Sequence, residues 1–206
     1  MLEQKIKIIL ASGSPRRTML LSMCGIPHTV RRPLVKEEKG SGLDPGDLVR
    51  RNARKKAEAI AKGLRDCVVL GFDTIVYLNG EIIGKLRSKS EVRAMLHRYS
   101  GKLFAVYTGI SVVDTISGRS LLESVSTKVR MKKVGKERLD AWVNHLGAFD
   151  KAGGFSIEGP GALLFSYVGG CFYNVLGLPL AKLDDMFGDL GYDLLTCMKR
   201  TGRASR

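Results

Sequence analysis

The sequence predicts an α/β fold: a long mixed sheet flanked by helices, with two lobes around a central cleft. Three observations lead there. Apolar runs of strand length alternate with segments of helical periodicity through the first half of the chain. Hairpin signals multiply afterwards, at Asn79-Gly80, Ser117-Gly118 and Gly169-Gly170. Glycine supplies 24 of 206 residues, against a usual ~7%, which favours tight turns and close backbone approach to a ligand. Length predicts one domain over residues 1–206, with a basic tail from about residue 198.

Ile6–Leu10 reads as a buried strand. Ala11-Ser12-Gly13-Ser14-Pro15-Arg16-Arg17 follows, leading into Met19-Leu20-Leu21, the first turns of a helix. Ser14 suits the N-cap and Pro15 the first helical position. A helix N-terminus carries unsatisfied amides and partial positive charge, so this small-residue loop with two arginines predicts an anion site, with ordinary helix capping as the alternative. His28–Pro33 reads as a second strand, Lys36–Gly46 as a polar loop and Asp47–Lys62 as a helix. In that helix Val49, Ala53, Ala57 and Ile60 share one stripe, and Lys56 falls within it. An inward lysine needs either an anionic partner or a route to solvent for its ammonium.

Val68–Asp73 reads as a continuous apolar strand ending at an acid, where α/β folds place ligands. Asp73 is therefore a candidate general base or metal ligand, with turn-making as the alternative. Asn79-Gly80 predicts a hairpin between Ile75–Leu78 and Glu81–Ile83, whose arm leads to Lys85, a candidate phosphate contact. Glu37 or Glu38 is a candidate partner for Asp73 in holding a divalent cation, since hard cations prefer oxygen ligands.

Ser90–Tyr99 reads as a helix closed by Gly101, and Leu103–Val113 and Leu121–Met131 as long strands. Lys136–His145 reads as another helix. Leu163–Val168 and Phe172–Leu176 read as hairpin strands around Gly169-Gly170. Pro179 opens a last helix with Leu180, Leu183, Phe187 and Leu190 on one face. Asp150-Lys151-Ala152-Gly153-Gly154-Phe155 and Ser156–Gly161 read as substrate-facing loops or as structural turns.

The formal net charge of +14 favours polyanionic partners: nucleotides, nucleic acids or acidic membrane surfaces. Basic clusters fall at Arg50–Lys56, Lys128–Lys136 and Lys199–Arg206, but aromatic residues are not interleaved with them as stacking platforms for nucleic acid require. Cys24, Cys67, Cys171 and Cys197 stand far apart without a CxxC pair, which predicts neither disulfide framework nor zinc site; Cys24 and Cys67 read as buried thiols. Ile8-Ile9-Leu10 is too short for a signal peptide or membrane span, so a cytoplasmic location is the expectation.

Seven segments, Ala11–Arg17, Asn52–Ala57, Gly71–Val76, Gly80–Lys85, Tyr99–Lys102 with Thr108-Gly109, Asp150–Gly154 and Asn174–Leu180, occur in the order found in one family. The chain resembles the Maf nucleotide pyrophosphatases. The resemblance implies a Maf/ITPase-like fold and hydrolysis of nucleoside triphosphates between the α and β phosphates, dependent on Mg2+ or Mn2+. It also leaves room for a homodimer. Carried over by position, Asp73 resembles the proton acceptor, and Ser12, Arg17, Glu37, Lys56 and Lys85 the charged active-site set. Arg16, Thr74 and Glu158 match positions that separate substrate subgroups. Arg16 and Thr74 resemble the branch acting on dTTP and UTP; Glu158 departs from its usual Gln, and Leu86 from the proline usual after Lys85.

Two other function classes stand beside this one. A basic nucleic-acid-binding module without hydrolase activity would follow from the net charge. A haloacid-dehalogenase-like phosphatase would need a second acid two residues after Asp73, where this chain has Ile75.

Overall fold

The computed structural model describes residues 6–40, 42–145 and 151–198. Asp150 and the basic tail from residue 199 lie outside them.

Strands β1 (Lys7–Ala11), β2 (Thr29–Arg31), β3 (Cys67–Leu78), β4 (Glu81–Ile83), β5 (Leu103–Asp114), β6 (Ser120–Met131) and β7 (Phe165–Gly169) form one sheet. Its order is β2-β1-β3-β5-β6-β7, with β4 paired to the distal part of β3. β1 runs parallel to β2 and to β3; the other pairings are antiparallel. The mixed sheet flanked by helices matches the sequence expectation.

Six α-helices accompany it among the described residues: α1 (Pro15–Met23), α2 (Pro45–Ala61), α3 (Lys89–Tyr99), α4 (Lys136–His145), α5 (Phe172–Val175) and α6 (Leu180–Asp189). From β1 the chain passes through α1 to β2 on one side, then through α2 to β3 on the other. The carboxyl end of β1 is thus a point where strand order reverses, and a crevice opens there.

One sheet face carries the main core. Leu10, Leu70, Phe72, Val76, Val106 and Ile110 pack there with Leu20 and Leu21 of α1 and Leu183 and Phe187 of α6. The opposite face receives α2, which contributes Leu48, Val49 and Ala57 to two smaller clusters. Two glycines set how close α2 lies. A Cβ on Gly71 would stand 2.3 Å from the Ala53 carbonyl oxygen, and one on Gly109 2.1 Å from that of Val49. Only hydrogen fits at either place.

Several expectations need correction. β3 does not stop at Asp73; it is one strand of 12 residues through Leu78. The acid interrupts the apolar run in sequence but not in space, because its charge is answered by α2. Phe172–Leu176 does not form the second arm of a hairpin. The chain turns after β7 into α5, which brings buried Asn174 against the sheet: its Nδ2 donates to the Val106 carbonyl at 3.0 Å and to Thr127 Oγ1 at 2.9 Å. Ser14 holds the N-cap position of α1, but its side chain makes no capping hydrogen bond. The helix expected from Asp47 starts at Pro45, with Asp44 Oδ1 accepting from the Asp47 amide at 3.0 Å. Asn79 and Gly80 have φ of +50° and +87° and turn the β3–β4 hairpin as expected. All four cysteines are free; Cys67 is buried and Cys24 only partly so.

Candidate active site

On β3, β1 pairs only as far as Gly71, and β4 begins pairing at Val76. Between them Phe72–Ile75 present a bare strand edge to the crevice. Asp73 and Thr74, on successive residues, point to opposite sheet faces. The segment therefore addresses α2 with one side chain and α1 with the next.

Asp73 meets α2. Its Oδ1 accepts from Lys56 Nζ at 2.7 Å and its Oδ2 from Asn52 Nδ2 at 3.0 Å. Asn52 and Lys56 stand one helical turn apart, so they reach the same spot. Lys56 Nζ also lies 2.6 Å from Glu37 Oε1 and donates to the Phe72 carbonyl at 3.3 Å. An ammonium has three donors, and all three end on protein oxygens. Burial opposes ionisation of Glu37, but Lys56, aided by Lys85 and Arg17, holds its carboxyl below the usual value.

Thr74 meets α1. Arg17 Nη2 donates to Thr74 Oγ1 at 3.0 Å, Nη1 to Ser12 Oγ at 3.0 Å and to the Phe72 carbonyl at 3.3 Å, and Nε to the Gly177 carbonyl at 2.8 Å. Its guanidinium stands 5.5 Å from the Phe72 ring centroid. Burial lowers the Arg17 pKa to about 10 against the pull of Asp73 and Glu37, so it remains cationic at neutral pH. The Phe72 carbonyl, at the bare edge of β3, thus takes one donor from each flanking helix. Behind Thr74, its hydroxyl and that of Thr108 are 3.0 Å apart, and Thr108 Oγ1 donates to the Asn174 carbonyl at 3.2 Å.

Ser12, Arg16, Arg17, Glu37, Lys56, Asp73, Thr74 and Lys85 all line one cleft of about 1960 Å³. This exceeds the ~300–1,000 Å³ of a typical small-molecule pocket and suits a long, charged ligand. Lys85 is carried by the arm after β4, which bridges Ala152; the Gly153 amide donates to the Gly84 carbonyl at 2.9 Å, bringing Lys151 to the same wall. Glu158 is not on the lining. It stands behind Arg16, with Oε2 3.4 Å from Arg16 Nε.

Without substrate, Lys56 joins two carboxylates, and four of the five Arg17 donors end on protein oxygens. Arg16, Lys85 and Lys151 also line the cleft, together with Arg32, Lys39 and Arg87; Lys85 is exposed, whereas the Arg16 side chain is only 16% exposed. Asn52 is the residue that sequence reasoning passed over. Its signal was available: a polar side chain on the inward stripe of α2, four residues before Lys56.

A family model described as Maf-like protein matches residues 7–190. The chain belongs to the Maf family. Curated Maf relatives include a dTTP/UTP pyrophosphatase of Dictyoglomus thermophilum, 38% identical over 93% of this chain and 100% of that one. Proteins of the same name from Caldicellulosiruptor bescii (37% identical, 92% of this chain and 97% of that one) and Bacillus anthracis (39%, 86% and 92%) also match. Among solved structures, the Staphylococcus aureus Ham1 protein superposes with a TM-score of 0.42 at 17% identity, over 62% of this chain and 72% of that one. That likeness is too distant to argue from. No helix among the described residues of this Maf protein is long and apolar enough to cross a membrane.

Proposed function

We propose that this protein is a nucleoside triphosphate pyrophosphatase, acting on dTTP and UTP and releasing the nucleoside monophosphate and pyrophosphate. The observation that carries the proposal is a buried carboxylate, Asp73, held by an ammonium and an amide at the floor of a cationic cleft. Kinship to proteins named for that activity supports it.

In this reading Asp73 orients a water and accepts its proton as the oxygen attacks the α-phosphorus. The bond from that phosphorus to the α–β bridging oxygen breaks, and pyrophosphate leaves with the electron pair. Lys56 holds Asp73 in place, so it acts on the base. Arg16, Lys85 and Lys151 meet the triphosphate charge, where donors facing developing negative charge are worth most. Ser12 and Thr74 act through Arg17, which fixes the loop before α1 against β3.

The donor set fits a divalent cation, Mg2+ or Mn2+. Glu37 and Asp73 offer hard oxygens at one point, where both reach Lys56 Nζ. Among the described residues no group of three or more His, Cys, Asp or Glu could hold a metal ion. A magnesium-like ion with one or two carboxylates and substrate oxygens matches that supply. When bound, such an ion supplies charge neutralisation on the phosphates. Turnover in a cytoplasmic nucleotide pool is part of the same proposal. The basic-module alternative rests on net charge alone.

The test is a panel of dTTP, UTP, CTP and GTP with Mg2+ or Mn2+, scoring pyrophosphate separately from orthophosphate. Pyrophosphate with equimolar monophosphate is expected; orthophosphate alone would overturn the proposal.

A further inference from the structure

Asn52 is 2% exposed and is among the residues that line the cleft. Its side chain makes three hydrogen bonds. Oδ1 accepts from the Glu38 amide at 2.8 Å, Nδ2 donates to the Glu38 carbonyl at 3.1 Å, and Nδ2 also donates to Asp73 Oδ2 at 3.0 Å. The first two form a paired contact with one backbone residue, like a single rung of a sheet. They seize the segment between β2 and α2, whose described residues, 32–40 and 42–44, belong to no helix or strand. The third fixes the carboxylate of the proposed base.

The segment needs such an anchor. Leu34 is fully exposed and Glu37 is about half exposed, so little apolar packing holds this stretch. Ion pairs from Glu38 to Lys55 at 2.6 Å and Arg51 at 3.7 Å lie on the solvent side of α2 and are weak individually. Asn52 is the buried attachment. With the backbone of Glu38 pinned, its neighbour Glu37 reaches Lys56 Nζ, the ammonium that also holds Asp73.

We infer that Asn52 is a positioning residue: one buried amide ties the segment bearing Glu37 to Asp73, so that both carboxylates stand at their working separation before substrate enters. The inference rests on the pyrophosphatase reading for its catalytic half only. The anchoring half is a statement about the protein without substrate.

The experiment has two arms. In the first, amide hydrogen exchange is followed on the substrate-free protein and on Asn52→Ala. Exchange at the Glu38 amide is expected to quicken at least tenfold, with β3 and α2 unchanged. In the second, pyrophosphate release is measured for Asn52→Ala, Glu37→Gln and the double variant. Asn52→Ala is expected to lower kcat at least tenfold with KM within twofold. The double variant should lose less than the product of the two single losses, since residues acting as a unit are not additive.

Unchanged Glu38 exchange overturns the anchor. Losses that multiply in the double variant overturn the route through Glu37. A wild-type protein that releases no pyrophosphate defeats the pyrophosphatase reading and leaves the exchange arm to decide the anchor. If Asn52→Ala does not fold, Asn52→Ser carries the same measurements; failure of both to fold makes Asn52 purely structural and overturns the assignment.

Discussion

Lys56 Nζ and Asp73 Oδ1 stand 2.7 Å apart in a nearly closed pair, their side chains 10% and 9% exposed. Removing one partner of such a pair leaves a buried charge unanswered, which typically costs about 3–5 kcal/mol. Lys56→Met would leave Asp73 and Glu37 as neighbouring carboxylates without their shared cation. The variant is expected to lose stability at pH 7 and to regain part of it near pH 5, where Glu37, freed of the cation that holds its carboxyl down, can take a proton. Urea melts at the two pH values check this; an equal loss at both would separate Lys56 from the carboxylates.

Asp73→Asn is expected to cut kcat by at least about a hundredfold, the lower range for a general base. The new amide no longer answers the Lys56 charge, which keeps only Glu37, and its NH2 meets a donor of Lys56 or Asn52, so a clear drop in melting temperature should accompany the loss. Pyrophosphate release and circular dichroism melts report the two effects separately. A rate near wild type would remove Asp73 from the mechanism.

Much of the site was legible because charge is conspicuous in apolar surroundings. Asp73 interrupts an apolar strand, and Lys56 sits on the inward stripe of α2. The loop before α1 showed its small residues and arginines directly. The partners of those charges were not legible, because pairing across elements depends on sheet register. Asp73 faces α2 only because β3 continues as a strand and Gly109 stands opposite it. The same limit hid α5. Apolar runs flanking Gly169-Gly170 fit a hairpin locally, while burial of Asn174 against β5 and β6 decided the outcome.

Gly109→Ala tests the closeness of α2. The added methyl would stand 2.1 Å from the Val49 carbonyl oxygen, so the helix must shift. Overpacking of this kind costs about 1–3 kcal/mol. Because α2 carries Asn52 and Lys56, activity should fall further than the stability loss explains. A fully active, less stable Gly109→Ala would show that the grip on Asp73 tolerates movement.

Acid stability should follow two of the three depressed carboxyls among the described residues, the third being Glu38, held by Lys55 and Arg51 on the solvent side of α2. At Asp114 burial opposes ionisation, but donation from Ser117, the Ile116 amide and Tyr192 outweighs it; at Glu37 Lys56 does so. A folded pKa below the unfolded value gives stabilisation that is present above the unfolded value and lost as pH falls through the folded one. Stability should therefore be level at neutral pH and decline below about pH 4–5, starting near ordinary carboxyl values. Asp114→Asn should flatten part of that decline while costing about 1–3 kcal/mol at pH 7. Urea midpoints from pH 7 to pH 3 for both proteins provide the check; parallel curves would exclude Asp114 as a source.

The proposed control of base preference by Arg16 and Glu158 can be tested at their contact. Their contact, at 3.4 Å with side chains 16% and 32% exposed, belongs to the class of pairs worth about 0.2–1 kcal/mol. A pair that weak can be redirected by substrate, yet it biases where the Arg16 guanidinium rests. Glutamate can only accept, whereas glutamine both donates and accepts. Glu158→Gln keeps the side chain's shape, releases Arg16 from an ionic partner and adds a donor suited to the carbonyls of uracil and thymine. Its kcat/KM for dTTP and UTP should rise by up to about fivefold, the factor that 1 kcal/mol allows, while CTP changes less. Competition assays with paired nucleotides measure the ratio directly. An unchanged ratio would mean that Glu158, which stands behind the cleft wall, sets the position of Arg16 without reaching the base.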